Sequence, residues 1–346
     1  MASAVAVDEV ADLAVLVALR EEWDVFWPIA GKPRGVKDSH SGRYLFRFEV
    51  ASAVGRPYRC VALCMGDMGP GQATDATHVL LQARPLTVVN LGIAAAIHDD
   101  LKLCDVVVAD QVDDYLATMK AVARGKENYT FELRGSVYKS SYSLVQDVDS
   151  RSTRTRRRSR VARIVLGAMA ERAEKLALAL ESGQIRDRPA LARVHLASGP
   201  VLAAAEAFSR WVRTRDGLLK ALEMEAAGMM LAAHQRSDPT STLVLRGISD
   251  FGDERKAKTD RKSGGVYRHL AMFNATRLLW AMLERGMLRR HEPVDRGTGG
   301  ERTRWSGPGP AVPRRLVGVV TQERRRRREQ RAHRGTPRRR PPPCQA

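Results

Sequence analysis

The stretch VALCMGDMGPGQATDATHVLLQARPLTVVNLGI, residues 61–93, holds three structural signals in a row. Val61–Met65 is a short apolar run without alternation. Gln72–Gln82 sets Ala73, Ala76, Val79 and Leu80 at helical spacing and stops before Pro85. Thr87–Ile93 is apolar again and rich in valine. Continuous apolar runs of this length suit strands covered on both faces, and a helical segment between them suits a crossover. The stretch predicts strand, helix, strand, and with it a mostly parallel sheet under covering helices.

The same pattern extends in both directions. Leu13–Leu19 (LAVLVAL) and Asp105–Ala109 (DVVVA) are further buried-strand runs, and Val194–Ser198 and Leu243–Ile248 are two more. Helical periodicity predicts helices over Ile164–Glu181, Leu218–His234 and Tyr267–Met287. The fold class is α/β, with a central twisted mixed sheet flanked by helices. Tyr115–Arg163 is polar, rich in Ser and Arg, and ends in RSTRTRRRSR; it reads as an excursion from the sheet, partly a loop. After Met287 the chain turns to Arg, Pro and Gly, a composition that buries too little apolar surface to fold. The expected organisation is one catalytic-size domain over 8–288 and a disordered tail over 289–346, with no internal repeat.

Composition narrows the function classes. The chain has 346 residues, 44% hydrophobic and 28% charged, enough for a sizeable core. Its net charge of +19 looks like a nucleic-acid signal until it is located. Residues 289–346 carry seventeen arginines against five acids, and 151–163 carry seven arginines and no acid, which together account for the whole excess. The body is close to neutral, so contact with nucleic acid is expected only through the tail. No apolar run approaches the roughly 20 residues of a membrane span. Acids precede the first apolar run, unlike a secretory signal. Cys60, Cys64, Cys104 and Cys344 show no paired spacing, so neither a disulfide framework nor a zinc site is indicated, and a cytoplasmic location is the default. His98, His195, His234 and His269 lack ligand spacing, and Trp23, Trp27 and Trp211 read as packing.

Three acidic positions stand out. Glu21 and Glu22 follow the first apolar run, Glu223 and Glu225 sit in ALEMEAAGMMLAA, and Asp250 ends LVLRGISD. Carboxylates at the ends of buried parallel strands point into the crevice where such sheets bind ligands. Each also has a structural reading: Glu21 and Glu22 as a solvated first helical turn, Asp250 as an N-cap, Glu225 as a core acid satisfied by Arg246. Convergence of all three would favour chemistry, because packing does not need it. The loop MGDMGPGQA, Met65–Ala73, joins a strand to a helix and lets backbone approach a ligand, but it is neither a dinucleotide fingerprint nor a Walker loop.

In this order the segments resemble the nucleoside phosphorylase superfamily, and most closely its 5′-methylthioadenosine/S-adenosylhomocysteine nucleosidases. LVALREEWD is similar to the family's opening strand and acidic turn, and MGDMGPGQAT to its first glycine loop. VVNLGIAAAIHDDLKLCDVVVAD is similar to its N-x-G-x-A-G-G segment and the strand after it, and ASGPVL to a loop enclosing the base. LEMEAAGMM and LRGISDFGDE are similar to the ribose and catalytic motifs. The resemblance implies a three-layer nucleoside phosphorylase-like fold, no cofactor or metal, and a homodimer with its pocket near the interface. It implies that Asp250 protonates purine N7 and that Glu22 orients or deprotonates the attacking water. Glu225 would hold the ribose hydroxyls, with Met224 packed on the sugar and Arg246 and Ser249 positioning the acids. Glu223, Gly69, Ile93 and Leu202 are further substrate-binding candidates.

Glycosidic cleavage builds positive charge on the sugar, so it needs carboxylate nearby, a protonated leaving group and a placed nucleophile. Phosphorolytic relatives place arginines at the glycine loop and after the third strand; CMGDMGPGQA and NLGIAAAI contain none, which favours water. Two departures matter. Ala94-Ala95-Ala96 replaces A-G-G, and Leu202 stands where many nucleosidases have a stacking Phe, leaving Phe208, Trp211 or Phe251 as stacking candidates. The expected function is purine nucleoside hydrolysis with release of adenine. The alternatives are an adenine-nucleotide nucleosidase reading phosphate through the 151–163 arginines, a purine nucleoside phosphorylase, and a non-catalytic nucleoside- or nucleic-acid-binding module.

Overall fold

Leu13–Val17 is buried throughout, and its side chains alternate between two cores. Leu13, Val15 and Val17 face one that holds Trp23, Phe26 and Trp280, while Ala14 and Leu16 face another with Leu63, Leu80 and Met229. This is why the run shows no polar alternation: both faces of the strand are covered. The computed structural model describes residues 10–31, 33–38, 41–125, 128–154, 179 and 181–292. In chain order the elements are β1 (Leu13–Val17), α1 (Arg20–Ile29), β2 (Arg34–Lys37), β3 (Tyr44–Val50), β4 (Tyr58–Cys64), α2 (Pro70–Leu81), β5 (Thr87–Ala96), β6 (Val106–Ala123), β7 (Tyr129–Lys139), α3 (Tyr142–Arg154), β8 (Leu191–Ser198), α4 (Glu206–Arg213), β9 (Leu219–Glu223), α5 (Ala226–His234), β10 (Ser241–Asp250), α6 (Lys256–Ser263) and α7 (Val266–Glu284).

The sheet forks at β5. Residues 87–90 of β5 pair in parallel with β1, whereas Ala95 and Ala96 pair antiparallel with β9. Strand β10 runs parallel to β5 along its length and antiparallel to β6, which continues through β8 to β9. Five strands (β5, β10, β6, β8, β9) therefore close on themselves, and β1, β4, β3 and β2 extend outward from β5. Helices α1 and α7 cover one face, and α2 and α5 the other. The mixed sheet between helical layers agrees with the expected fold class.

Two expectations need correction. Leu218–His234 is not one helix: β9 ends at Glu223 and α5 begins at Ala226. Its Leu, Ala, Met and Glu residues are good helix formers, but pairing with β8 and β5 overrides that propensity. Tyr115–Lys139 is not an excursion: β6 runs on to Ala123 and turns into β7. The cross-strand register puts Met119, Ala121, Ala123, Tyr129, Phe131 and Leu133 on one face of this ribbon, and Thr118, Lys120, Val122, Thr130, Glu132 and Arg134 on the other. This two-residue alternation escapes a search for long apolar runs. The helix expected over Ile164–Glu181 and the arginines from 155 to 163 lie outside the described residues, apart from Ala179 and Glu181.

The body also continues past Met287. Asp12, at the start of β1, has a fully buried side chain and is paired with Arg56 at 2.6 Å. It accepts the backbone N–H of His291 at 2.9 Å, and Arg290 stacks on the Tyr58 ring at 3.8 Å. Burial would raise the Asp12 carboxyl, but these donors, Arg56 foremost, hold it below the ordinary value. The body thus reaches at least to His291, because a buried carboxylate needs donors that an arginine-rich composition obscures. Deleting 293–346 is expected to leave the melting temperature and turnover unchanged. Deleting 289–346 should cost about 1–3 kcal/mol through the lost hydrogen bonds to a charged group, read as a lower denaturant midpoint. Among the described residues no helix is long and apolar enough to cross a membrane.

Candidate active site

Parallel strands that end together bring their following residues together, and the fork at β5 leaves a gap at those ends. The gap is a pocket open to solvent. Ala18, Leu19 and Glu22 reach it from the end of β1, Ile93–Ala95 from β5, Leu222–Glu225 from β9, and Ser249 and Asp250 from β10. Val201–Ala203 and Met68 form the rim, and Lys256 and Arg268 enter from α6 and α7.

Each acid is held by backbone. Glu22 lies in the first turn of α1, where one oxygen accepts the Leu19 N–H and the other the Ile93 N–H, both at 3.0 Å. Asp250 follows an irregularity in β10 beyond Ile248. It accepts the Gly252 N–H at 2.9 Å, lies 2.8 Å from the Ser249 hydroxyl, and pairs with Lys256 at 2.5 Å. Glu223 accepts the N–H groups of Glu225 and Ala226 at 3.0 Å, so it caps α5 from outside. Glu225 accepts the Gly69 N–H at 3.3 Å, which ties the glycine loop to the site.

Arg246 sits behind these acids and is fully buried. Its guanidinium bonds Glu223, Glu225 at 3.3 Å and Asn90 at 2.8 Å. One cation facing Glu22, Glu223 and Glu225 leaves excess negative charge in a dry place. Burial pushes the Glu22 carboxyl above its ordinary value, against the pull of Arg246 and the two amides. Glu225 is also raised, by burial and then by the neighbouring Glu223 carboxylate. Arg246 stays charged, because the carboxylates outweigh its desolvation. Such perturbed clusters favour functional sites over packing.

Gly92 explains why β5 can hold this arrangement. A Cβ there would collide with the Arg246 guanidinium and come within 2.9 Å of a Glu22 oxygen. Gly92→Ala is expected to displace both side chains. Turnover should fall by at least about tenfold, the scale of a misplaced reacting group, with a lower melting temperature measured on the same preparation.

Glu22, Ile93, Leu202, Glu223, Met224, Glu225, Ser249 and Asp250 all line the one cavity. Gly69 and Arg246 support it from behind through Glu225. Of the structural readings, Glu225 is paired with Arg246 and Glu21 is exposed, but Glu22 is buried, and Asp250 accepts the Gly252 N–H in a turn while the N-cap of α6 is Arg255. The stacking candidates are elsewhere: Phe208 and Trp211 pack with Tyr115, and Phe251 packs on the core. Met68, Val201 and Leu202 give the rim an aliphatic character instead. The sequence does not single out Lys256 or Arg268, because both cations come from the helices after Asp250 rather than from the glycine loop. Among the described residues no cluster of His, Cys, Asp or Glu has the form of a metal centre.

An α/β sheet whose strand ends present carboxylates to a single cavity defines a ligand-binding site. The model of the Phosphorylase superfamily matches residues 13–284, and the chain belongs to that superfamily. Its sequence is 26% identical over 205 residues to the ATP nucleosidase Cap17 of Escherichia coli strain KTE188, a match spanning 58% of this chain but only 38% of that relative. In fold it is similar to the 5′-methylthioadenosine/S-adenosylhomocysteine nucleosidase of Neisseria meningitidis, with a TM-score of 0.57 and 19% identity, covering 79% of this chain and 98% of that one. The futalosine hydrolase of Helicobacter pylori is similar too, with a TM-score of 0.53 and 19% identity over 79% of this chain and 97% of that chain.

Proposed function

We propose that this protein hydrolyses the N-glycosidic bond of a purine nucleoside, releasing the free base, with 5′-thio-substituted adenosines (the methylthioadenosine and adenosylhomocysteine type) as leading substrates. The observation that carries this reading is the meeting of Glu22, Glu225 and Asp250, from three separate strand ends, around one cavity. Asp250 gives the base its proton, so that it departs neutral. Glu225 faces the ribose and opposes the positive charge that develops there. Glu22, fixed by two backbone amides, orients the attacking water. The cavity's aliphatic rim suits the thioether of a 5′ substituent.

A second reading has its own support. Arg268 lines the cavity from α7 and pairs with Glu21 on its outer side. A guanidinium in that place suits a 5′-phosphate, and the relative in Escherichia coli is an ATP nucleosidase. One assay separates the readings. Adenosine, methylthioadenosine, adenosylhomocysteine, AMP and ATP are incubated with the protein, with and without phosphate, and the sugar product is weighed by mass spectrometry. Free adenine with an unphosphorylated anomeric carbon supports hydrolysis. A 1-phosphate would make the protein a phosphorylase, and binding without product would make it a non-catalytic module.

The apolar face of the β6–β7 ribbon supports a homodimer. Met119, Tyr129 and Phe131 are more than half exposed there, and a two-stranded ribbon is marginal by itself. The face carries no charge, so a second copy can meet it without repulsion. Phe131→Glu is expected to shift the mass by light scattering from dimer to monomer.

A further inference from the structure

Lys256 is absorbed by nothing above. It opens α6, its side chain is 14% exposed, and its ammonium lies 2.5 Å from Asp250 inside the cavity wall. Three donors converge on the Asp250 carboxylate: the Gly252 amide, the Ser249 hydroxyl and this ammonium. An aspartate that must protonate a leaving base needs a source for the proton, and only Lys256 among the three donors has one to give.

We propose that Lys256 is the proton-supplying partner of Asp250, and that the pair, rather than the aspartate alone, activates the leaving base. This rests on the nucleosidase reading above. As the bond from the sugar to the base stretches, its electron pair moves into the base and raises the basicity of the ring nitrogen. An N–H bond of Lys256 breaks, leaving a neutral amine. The proton passes through the Asp250 carboxyl to the ring nitrogen, and the base departs neutral. Water adds to the sugar cation and gives its proton to Glu22, which releases it to solvent, and Lys256 regains a proton from solvent through its exposed edge, so the enzyme returns to its starting state.

The rival role for Lys256 is a clamp that pins α6 to the end of β10. The two roles part on two measurements. Lys256→Arg keeps a charged donor to Asp250, but arginine does not release a proton. Lys256→Met removes both. A p-nitrophenyl riboside needs no protonation, because its phenolate leaves unaided. With adenosine or methylthioadenosine, both variants are expected to lose about a hundredfold in kcat, the scale of general-acid catalysis, at little change in KM. With the p-nitrophenyl riboside, both should stay within a few-fold of wild type, which also shows that they are folded. Recovery of adenosine cleavage in Lys256→Arg would overturn the proposal in favour of the clamp. So would an equal loss on both substrates. Wild-type protein that cleaves neither substrate would remove the nucleosidase reading itself, and the pair with it.

Discussion

Asp250→Asn is expected to lower kcat for purine nucleosides by at least about a hundredfold, the scale of a lost general acid. Asparagine keeps the size of the side chain and its bond from the Gly252 amide, but it cannot carry a proton to the base. The loss should appear in kcat and leave KM within a few-fold, since the change spares Glu225 and Met224, the residues proposed to face the sugar. Base release followed by chromatography reads it directly. An Asn variant with near-normal turnover would take Asp250 out of the reaction.

The second large effect is one of stability. Arg246→Met should remove about 3–5 kcal/mol, because it leaves buried carboxylates without their cation. That is a large part of the 5–15 kcal/mol that holds an ordinary domain together. The pH dependence identifies the cause. Glu22 and Glu225 have raised carboxyls in the folded protein. The stability tied to them is therefore complete below the ordinary carboxylate value and is lost as pH rises through the folded value. Without Arg246 those carboxyls rise further, so the deficit should be smaller at pH 5 than at pH 8. Urea midpoints of both proteins at the two pH values test this. An equal deficit at both would assign the loss to packing rather than to charge.

The acids themselves were legible because their neighbours are so apolar: a Glu between Leu and Met, or an Asp after LVLRGIS, has no structural reason to be common. Gly92 was legible only as part of a motif; its need for a missing side chain appears once Arg246 and Glu22 are seen against it. Lys256 left no pattern at all. It lies in a charged stretch, DERKAK, where nothing distinguishes the lysine that turns inward from those that face water.

Local chemistry in the chain determined the covered strands, the crossover helix over α2 and the acids at the ends of apolar runs, because burial on two faces and helical spacing leave direct marks on residue order. Tertiary structure alone decided the closure of the sheet at β5, the strand-to-helix break at Glu223–Ala226, the ribbon of β6 and β7, and the inward turn of Lys256 and Arg268. Each of these depends on a partner far away in the chain, and a pairing between distant segments writes no period into either of them.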